Sequence, residues 1–232
     1  MNLASGRARL VCPCAARIYW SLTLGVLAIG VLLVITFTPT DPGMGPVQRL
    51  MYVHVPAAAA AFFAAFVTFL ANTAYIWSRS RIWDALARDS ARATVGASAV
   101  VLMTGAIWGR FVWGVWWTWS PRLTFTLVLL ALYVIYLVLR RTLHPYPRRA
   151  MVCALYGAVA FIDVPLVYMS ARLLPDVHPT SLPLTYEMRV TLWVCIAFGT
   201  MTTLGLILSP TLRHLRRVGN MRLVRRAHAA PV

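Results

Sequence analysis

The chain lacks most of the charge that keeps a soluble protein in water. Only 12% of its 232 residues are charged, lysine is absent, six residues are acidic, and 60% of the residues are hydrophobic. Several apolar runs reach about 20 residues, which is the length of a helix that spans a lipid bilayer. These properties exclude a soluble globular domain and predict an all-α, polytopic membrane protein.

Cysteine is also scarce, and its positions point to neither a disulfide nor a metal site. Cys12 and Cys14 precede the first apolar run and lie too close together for an ordinary disulfide. Cys153 and Cys195 fall within apolar runs, where a buried thiol behaves as a small apolar residue. The Cys-x-Cys pair has no neighbouring Cys/His cluster that would complete the four ligands of a structural zinc ion.

Six transmembrane helices are predicted from the apolar runs, in a single membrane domain over residues 1–232 without internal repeats. The first span is expected to be retained, because its apolar stretch is longer than the core of a signal peptide and no cleavage site follows it. The alanine-rich start of the second span favours close helix packing, and Gly105-x-x-x-Gly109 is a weaker packing motif. The predicted spans cover residues 18–37, 55–77, 93–108, 123–139, 151–170 and 188–209.

The distribution of arginine predicts the orientation of these spans. All but five of the 22 arginines lie on the side of the chain termini. Because basic residues collect on the cytoplasmic side of a membrane, the tails 1–17 and 210–232 are expected to be cytoplasmic, and segment 108–122 to face outward. The net charge of +16 would also suit nucleic acid. However, arginines between apolar spans form no single amphipathic face, so we expect them to contact membrane lipids instead.

Tryptophan is concentrated in the outward segment. Five of the nine tryptophans lie within residues 108–119, and Arg110 and Arg122 flank them. Indole rings offer rigid apolar faces and guanidinium groups bind carboxylates, so together they suit a large flat ligand with acidic groups. Haem, an apolar disc with two propionates, is the candidate. A belt of tryptophans that anchors helices at the interface, with arginines extended toward water, is the alternative.

The predicted topology sorts the five histidines into two groups. His54 and His178 lie on the side of the tryptophans, and two neutral imidazoles are what bis-histidine ligation of haem iron requires. A single interfacial histidine is more often a hydrogen-bonded bystander, but both of these flank the same segment. The cytoplasmic histidines are His144, His214 and His228.

Asp163 is a weaker candidate within the fifth span. Acidic residues inside a membrane are costly and often functional. Asp163 is expected near the outer end of the span beside Pro165. There it could instead bond to freed backbone groups or to an arginine.

Three segments resemble those of a known family. WGVWWTWSPRLT at 113–124 resembles the tryptophan-rich signature of the haem-handling proteins of cytochrome c maturation. MYVHVPA, which contains His54, and the His178–Pro179 pair resemble the segments that carry the two family histidines. With its length and six spans, the chain is identified as a member of the haem exporter protein C (CcmC) family, and the resemblance covers nearly the whole sequence.

This resemblance implies a function. Such proteins hold b-type haem, non-covalently and transiently, at the outer face of the bacterial inner membrane. They present it to the haem chaperone CcmE, beside the CcmA/CcmB ABC transporter and the helper CcmD. The axial ligands would be His54 and His178, and Arg122 would bind a propionate. The haem platform would be formed by Trp113, Trp116, Trp117 and Trp119.

The chain departs from the family motif at one position. The motif usually has an aspartate after the last tryptophan, where this chain has Ser120.

Two other functions remain open. A bis-histidine membrane cytochrome that relays electrons is one alternative, although a relay usually needs a second centre across the membrane. A cofactor-free scaffold or permease subunit is the other. No group points to bond-making chemistry, so a binding protein rather than an enzyme is expected.

The arginine distribution makes a prediction about topology. Residues 39–50, 109–122 and 171–187 should face outward. In a background without native cysteines, Val112→Cys should react with a membrane-impermeant thiol reagent in whole cells, and Arg148→Cys should not. Labelling of Arg148→Cys alone would show that the orientation is inverted.

Overall fold

The computed structural model describes residues 13–176, 178 and 183–228, and these residues form helices joined by short loops. Six helical segments are long and apolar enough to cross a membrane, which confirms the predicted all-α polytopic fold. A short 3-10 helix, Pro46–Leu50, precedes the second long helix. The α-helices are α1 (Pro13–Thr36), α2 (Met51–Ser78), α3 (Arg81–Val112), α4 (Pro121–Thr142), α5 (Tyr146–Ala160), α6 (Asp163–Leu173) and α7 (Tyr186–His228).

The helix boundaries differ most from the prediction in α2 and α3. Helix α2 begins at Met51, so His54 lies in its first turn rather than in the preceding loop. Helix α3 begins twelve residues earlier than its predicted span and continues to Val112, so Trp108 belongs to the helix rather than to the outer segment. The first turns of α3 contain charged residues that pack against other helices. Because these turns are not apolar, the hydrophobic pattern did not predict them as part of the span. Helix α7 likewise continues through the predicted tail as far as His228.

The fifth span is two helices rather than one. Helix α5 ends at Ala160, and α6 begins at Asp163 after a short turn. Asp163 lies ten residues before the end of α6, about 15 Å at the usual helical rise. The apolar segment that could span the membrane ends at Ser170, seven residues after Asp163. Asp163 is buried, and it forms none of the ion pairs within the described part of the chain, so the suggested arginine partner is not found.

Close packing of α2 against α3 forms the centre of the bundle. The buried faces of both helices consist mainly of alanine, serine and threonine, and such small side chains allow two backbones to approach closely. Thr68 donates a hydrogen bond to Ser90 across this contact (2.9 Å). The predicted role of the alanine-rich segment is thus confirmed. Helix α7 packs against both α2 and α3, α1 packs against α7, and α4 packs against α3, α5 and α6.

A chain of buried polar groups joins α2, α3 and α4. Arg140 pairs with Asp84 at 2.7 Å and donates a hydrogen bond to the Tyr136 hydroxyl at 3.1 Å. The Tyr136 hydroxyl donates in turn to Asn72 Oδ1 at 3.1 Å. Gly157 of α5 packs directly against this row of hydrogen-bonded side chains. A Cβ atom at position 157 would overlap Asn72 Nδ2.

We predict that Gly157→Ala destabilises the bundle. The added methyl group must displace the Asn72 amide or the Tyr136 ring, and overpacking of this kind costs roughly 1–3 kcal/mol. Thermal unfolding in detergent should show a lower midpoint for Gly157→Ala. Gly25→Ala is the control, because a Cβ atom there has no neighbour within 4 Å. Equal midpoints for Gly157→Ala and the wild type would contradict the packing described.

Candidate functional site

The structure brings together the two histidines that the sequence predicted on one side of the membrane. The ring centroids of His54 and His178 are 6.3 Å apart, and the ring planes differ by 29°. Two imidazoles bonded to one metal ion have centroids roughly 6 Å apart, because each metal–nitrogen bond is about 2 Å long. The separation is therefore of the size that a shared metal ion requires.

The surroundings of His54 place its ring proton on Nδ1. This nitrogen lies 2.9 Å from Thr104 Oγ1. The Thr104 hydroxyl donates its hydrogen to the Val100 carbonyl at 2.7 Å, so its oxygen accepts the bond from Nδ1–H. The lone pair of His54 is then on Nε2, which suits ligation of a metal. Gly105 makes room for the ring, since a Cβ atom there would lie 3.1 Å from His54 Cε1, and Trp108 makes an edge contact at 5.9 Å.

His178 has the opposite arrangement at its Nδ1. The Arg122 guanidinium lies 3.0 Å from this nitrogen, and arginine can only donate. Nδ1 of His178 therefore accepts, and the proton of the neutral ring is on Nε2. The two histidines thus differ: His54 is in the tautomer that ligates through Nε2, and His178 is not.

Asp176 connects the His178 loop to the start of α4. Its Oδ1 accepts the backbone N–H of His178 at 2.8 Å, and its Oδ2 accepts the backbone N–H of Arg122 at 2.7 Å. Arg122 is the second residue of α4, where a carboxylate also interacts favourably with the helix dipole. Ser120 is the N-cap residue of the same helix, and its side chain makes no capping hydrogen bond.

The tryptophans do not form one continuous stack. Trp108 lies in α3 and is the tryptophan whose ring contacts His54. Trp113 packs over Gly109, where a Cβ atom would lie 3.1 Å from the indole. The two glycines of the Gly105-x-x-x-Gly109 motif therefore leave room for the side chains of His54, from α2, and of Trp113. Trp117 and Trp119 meet edge to face at 5.7 Å, and the side chains of Trp116 and Trp119 are 61% and 75% exposed.

Several polar atoms of residues 117–122 are buried without a hydrogen-bond partner among the described residues. They are Trp117 Nε1, Thr118 Oγ1, Ser120 Oγ and Arg122 Nε. Each carries a hydrogen that it can donate, and buried donors without partners are rare in folded proteins. An acidic group brought to this segment would satisfy several of them.

The comparison with known families decides the identity of the chain. The sequence model of the family Heme exporter protein C (CcmC) matches residues 4–232. The chain belongs to the haem exporter protein C family.

Three bacterial relatives described as heme exporter protein C illustrate the similarity. The protein of Haemophilus influenzae is 30% identical over 202 residues, which cover 83% of this chain and 80% of that protein. The Escherichia coli K12 protein is 30% identical over 165 residues, or 67% of this chain and 64% of that protein. The Bradyrhizobium diazoefficiens protein is 31% identical over 148 residues, or 64% of this chain and 56% of that protein. The match thus spans little more than half of the Bradyrhizobium protein.

Sequence reasoning missed two residues of this site, Thr104 and Asp176. It named Gly105 only as part of a packing motif and Trp108 only as one of the five clustered tryptophans. The structure places Thr104, Gly105 and Trp108 against His54, and no local pattern in α3 indicated that partner. Asp176 was missed because its partner, Arg122, is 54 residues away. Asp176 also supplies a carboxylate at the start of α4, near the position where the family motif usually has an aspartate.

We predict that Thr104 controls the affinity of His54 for haem. Thr104→Val removes the acceptor that holds the proton on Nδ1, and loss of such a supporting hydrogen bond typically weakens metal binding 10–100-fold. Thr104→Ser keeps the hydroxyl and should stay close to wild type. Titration of the purified protein with haem, followed by its absorption spectrum, gives the affinities. Equal affinity of the valine and serine variants would show that Thr104 does not act through His54.

Proposed function

We propose that this chain binds b-type haem between His54 and His178 and passes it to the haem chaperone CcmE for cytochrome c maturation. In this proposal the site faces outward from the bacterial inner membrane, and the chain acts beside the CcmA/CcmB ABC transporter and CcmD. The observation that carries the proposal is the 6.3 Å pairing of two histidines from distant parts of the chain. Membership of the haem exporter protein C family supports haem as the ligand.

The buried donors of residues 117–122, a segment that ends at the Arg122 in contact with His178, suit a haem propionate. Arg122 Nε, Trp117 Nε1 and Ser120 Oγ are buried and have no hydrogen-bond partner among the described residues. A carboxylate has two acceptor oxygens and forms its strongest hydrogen bonds with a guanidinium. The exposed indoles of Trp116 and Trp119 offer apolar faces to the macrocycle or to the chaperone that receives it.

Because the two histidines are in different tautomers, haem is ligated in sequence, first by His54 and then by His178. His54 is ready to ligate through Nε2, because Thr104 holds its ring proton on Nδ1. His178 ligates through Nε2 only when its proton moves to Nδ1, and a protonated Nδ1 cannot accept the hydrogen bond from Arg122. Ligation by His178 therefore frees Nη1 of Arg122, which is then able to bind a propionate while Nη2 still donates to the Tyr168 carbonyl at 3.4 Å. Return of Arg122 to His178 favours release, and this agrees with transient rather than permanent binding.

Alanine substitutions of the histidines test the ligand assignment. His54→Ala and His178→Ala should each lower haem affinity at least tenfold, change the haem spectrum and abolish cytochrome c maturation in cells. His144→Ala and His214→Ala, at the opposite end of the bundle, are matched controls and should behave like the wild type. Normal maturation in the His54→Ala, His178→Ala double variant would refute the assignment. Rapid reduction of the bound haem by a quinol, with onward electron transfer, would instead favour an electron relay.

The same preparations test the propionate contact. Wild-type protein should bind haem at least tenfold more tightly than haem dimethyl ester, which lacks the carboxylates. Arg122→Gln should bind the two compounds about equally, because the glutamine cannot form the charged contact. Arg110→Gln is the control, since this exposed arginine donates to the Gly114 carbonyl and should keep the preference. An Arg122→Gln variant that keeps the preference would exclude Arg122 as the propionate ligand.

A further inference from the structure

The end of the bundle opposite the histidine pair contains a pocket that haem binding does not use. It lies where α3 begins, α4 ends and α5 begins, and its volume is about 130 Å³. A pocket of this size is smaller than the sites that hold drug-sized ligands, so it suits a compact group rather than a haem. It is lined by Leu137 and five arginines, Arg88, Arg92, Arg140, Arg141 and Arg149.

Two carboxylates neutralise part of this charge. Asp89 accepts two hydrogen bonds from Arg88, at 2.8 and 2.9 Å, and one from Arg92 at 3.2 Å. Asp84 pairs with Arg140 at 2.7 Å, and both of these side chains are buried. Two carboxylates cannot compensate five guanidinium groups, so the pocket keeps an excess of positive charge.

Arg141 and Arg149 carry the charge that is left. Arg141 forms no ion pair with any described residue. Arg149 approaches Asp84 only to 4.0 Å, and its buried Nε has no hydrogen-bond partner in the described part of the chain. Guanidinium groups with unused N–H donors that converge on one space bind phosphate through paired hydrogen bonds.

A long apolar cavity begins beside this pocket. It has a volume of about 780 Å³ and lies between α1, α2, α3 and α7. It extends from Arg49 and Tyr52, near the start of α2, to Asp89 and Arg92 in the early turns of α3. Arg92 lines both the cavity and the arginine pocket. A phosphate-binding pocket that shares a wall with an apolar cavity matches an amphiphile with an anionic head and an apolar tail.

We propose that the arginine pocket binds the phosphate of an anionic phospholipid and that one of its acyl chains lies in the apolar cavity. Arg140, Arg141 and Arg149 lie at the adjoining ends of two spanning segments, Pro121–Thr142 and Tyr146–Ser170, where lipid headgroups are expected. Basic pockets between transmembrane helices bind anionic headgroups elsewhere in this way. The lipid then fills the space between α1 and the α2–α3 pair.

The test measures lipid binding to the full chain in neutral detergent by native mass spectrometry. The probes are dioleoyl phosphatidylglycerol, dioleoyl phosphatidylcholine and inorganic phosphate. The wild type should bind phosphatidylglycerol in preference to phosphatidylcholine. Arg141→Gln and the Arg141→Gln, Arg149→Gln double variant should weaken phosphatidylglycerol binding, the double variant at least tenfold. Arg148→Gln should stay within twofold of the wild type, because Arg148 is an exposed neighbour on α5 that does not line the pocket.

Each other result overturns the proposal in a defined way. Equal losses for Arg148→Gln and the double variant would mean that only surface charge attracts the lipid. Equal binding of the two lipids would exclude recognition of an anionic headgroup. Full displacement of phosphatidylglycerol by equimolar inorganic phosphate would assign the pocket to free phosphate.

Two controls keep the test separate from the haem assignment and from unfolding. The double variant should keep the wild-type haem spectrum, so failure of the lipid proposal is distinguishable from failure of the haem assignment. The single variant Arg141→Gln, at an exposed side chain, keeps the test valid if the double variant unfolds.

Discussion

The close approach of α2 and α3 is the constraint on which the proposed haem site depends. Alanine, serine and threonine on the facing sides of these helices let the backbones come together along most of their length. At the end of this contact that carries the histidine pair, Gly105 leaves space for the His54 imidazole, and Thr104 accepts its Nδ1–H. A larger residue at position 105 would push the ring away from the hydroxyl. The orientation of His54 is therefore a consequence of how the two helices pack.

The second histidine is held by a different and weaker kind of support. His178 lies in a loop, and its position depends on Asp176, which accepts backbone N–H groups from both His178 and Arg122. Arg122 holds the His178 ring through a hydrogen bond that ligation must break. In the proposed function, one rigid metal ligand on a helix and one exchangeable metal ligand on a loop would suit a protein that hands its haem on. A resident cofactor would be better served by two rigid ligands.

The two ends of the bundle carry their charges for different reasons. At the histidine end, Asp176 accepts the backbone N–H of Arg122, and the buried Nε of Arg122 has no hydrogen-bond partner among the described residues. At the other end, five arginines share two carboxylates, and Asp84 and Arg140 are buried as a pair. Removal of one partner of a buried pair is costly, because the other charge is then left without compensation. Arg140 thus serves the fold, whereas Arg141 and Arg149 remain available to a ligand.

The sequence by itself was sufficient to predict the membrane class, the six spans and the location of His54 and His178 on the same side of the membrane. Hydrophobic length and the distribution of arginine carry these predictions, and both can be read directly from the chain. Its tryptophan signature was also sufficient to indicate the family. Only the tertiary structure decided that Thr104, Gly105 and Trp108 surround His54, that Asp176 supports Arg122, and that α5 and α6 are separate helices. It also placed Trp108 within α3 and the other four clustered tryptophans in the segment between α3 and α4. These features depend on contacts between helices far apart in the chain, and the tautomer of each histidine depends on partners that no local pattern reveals.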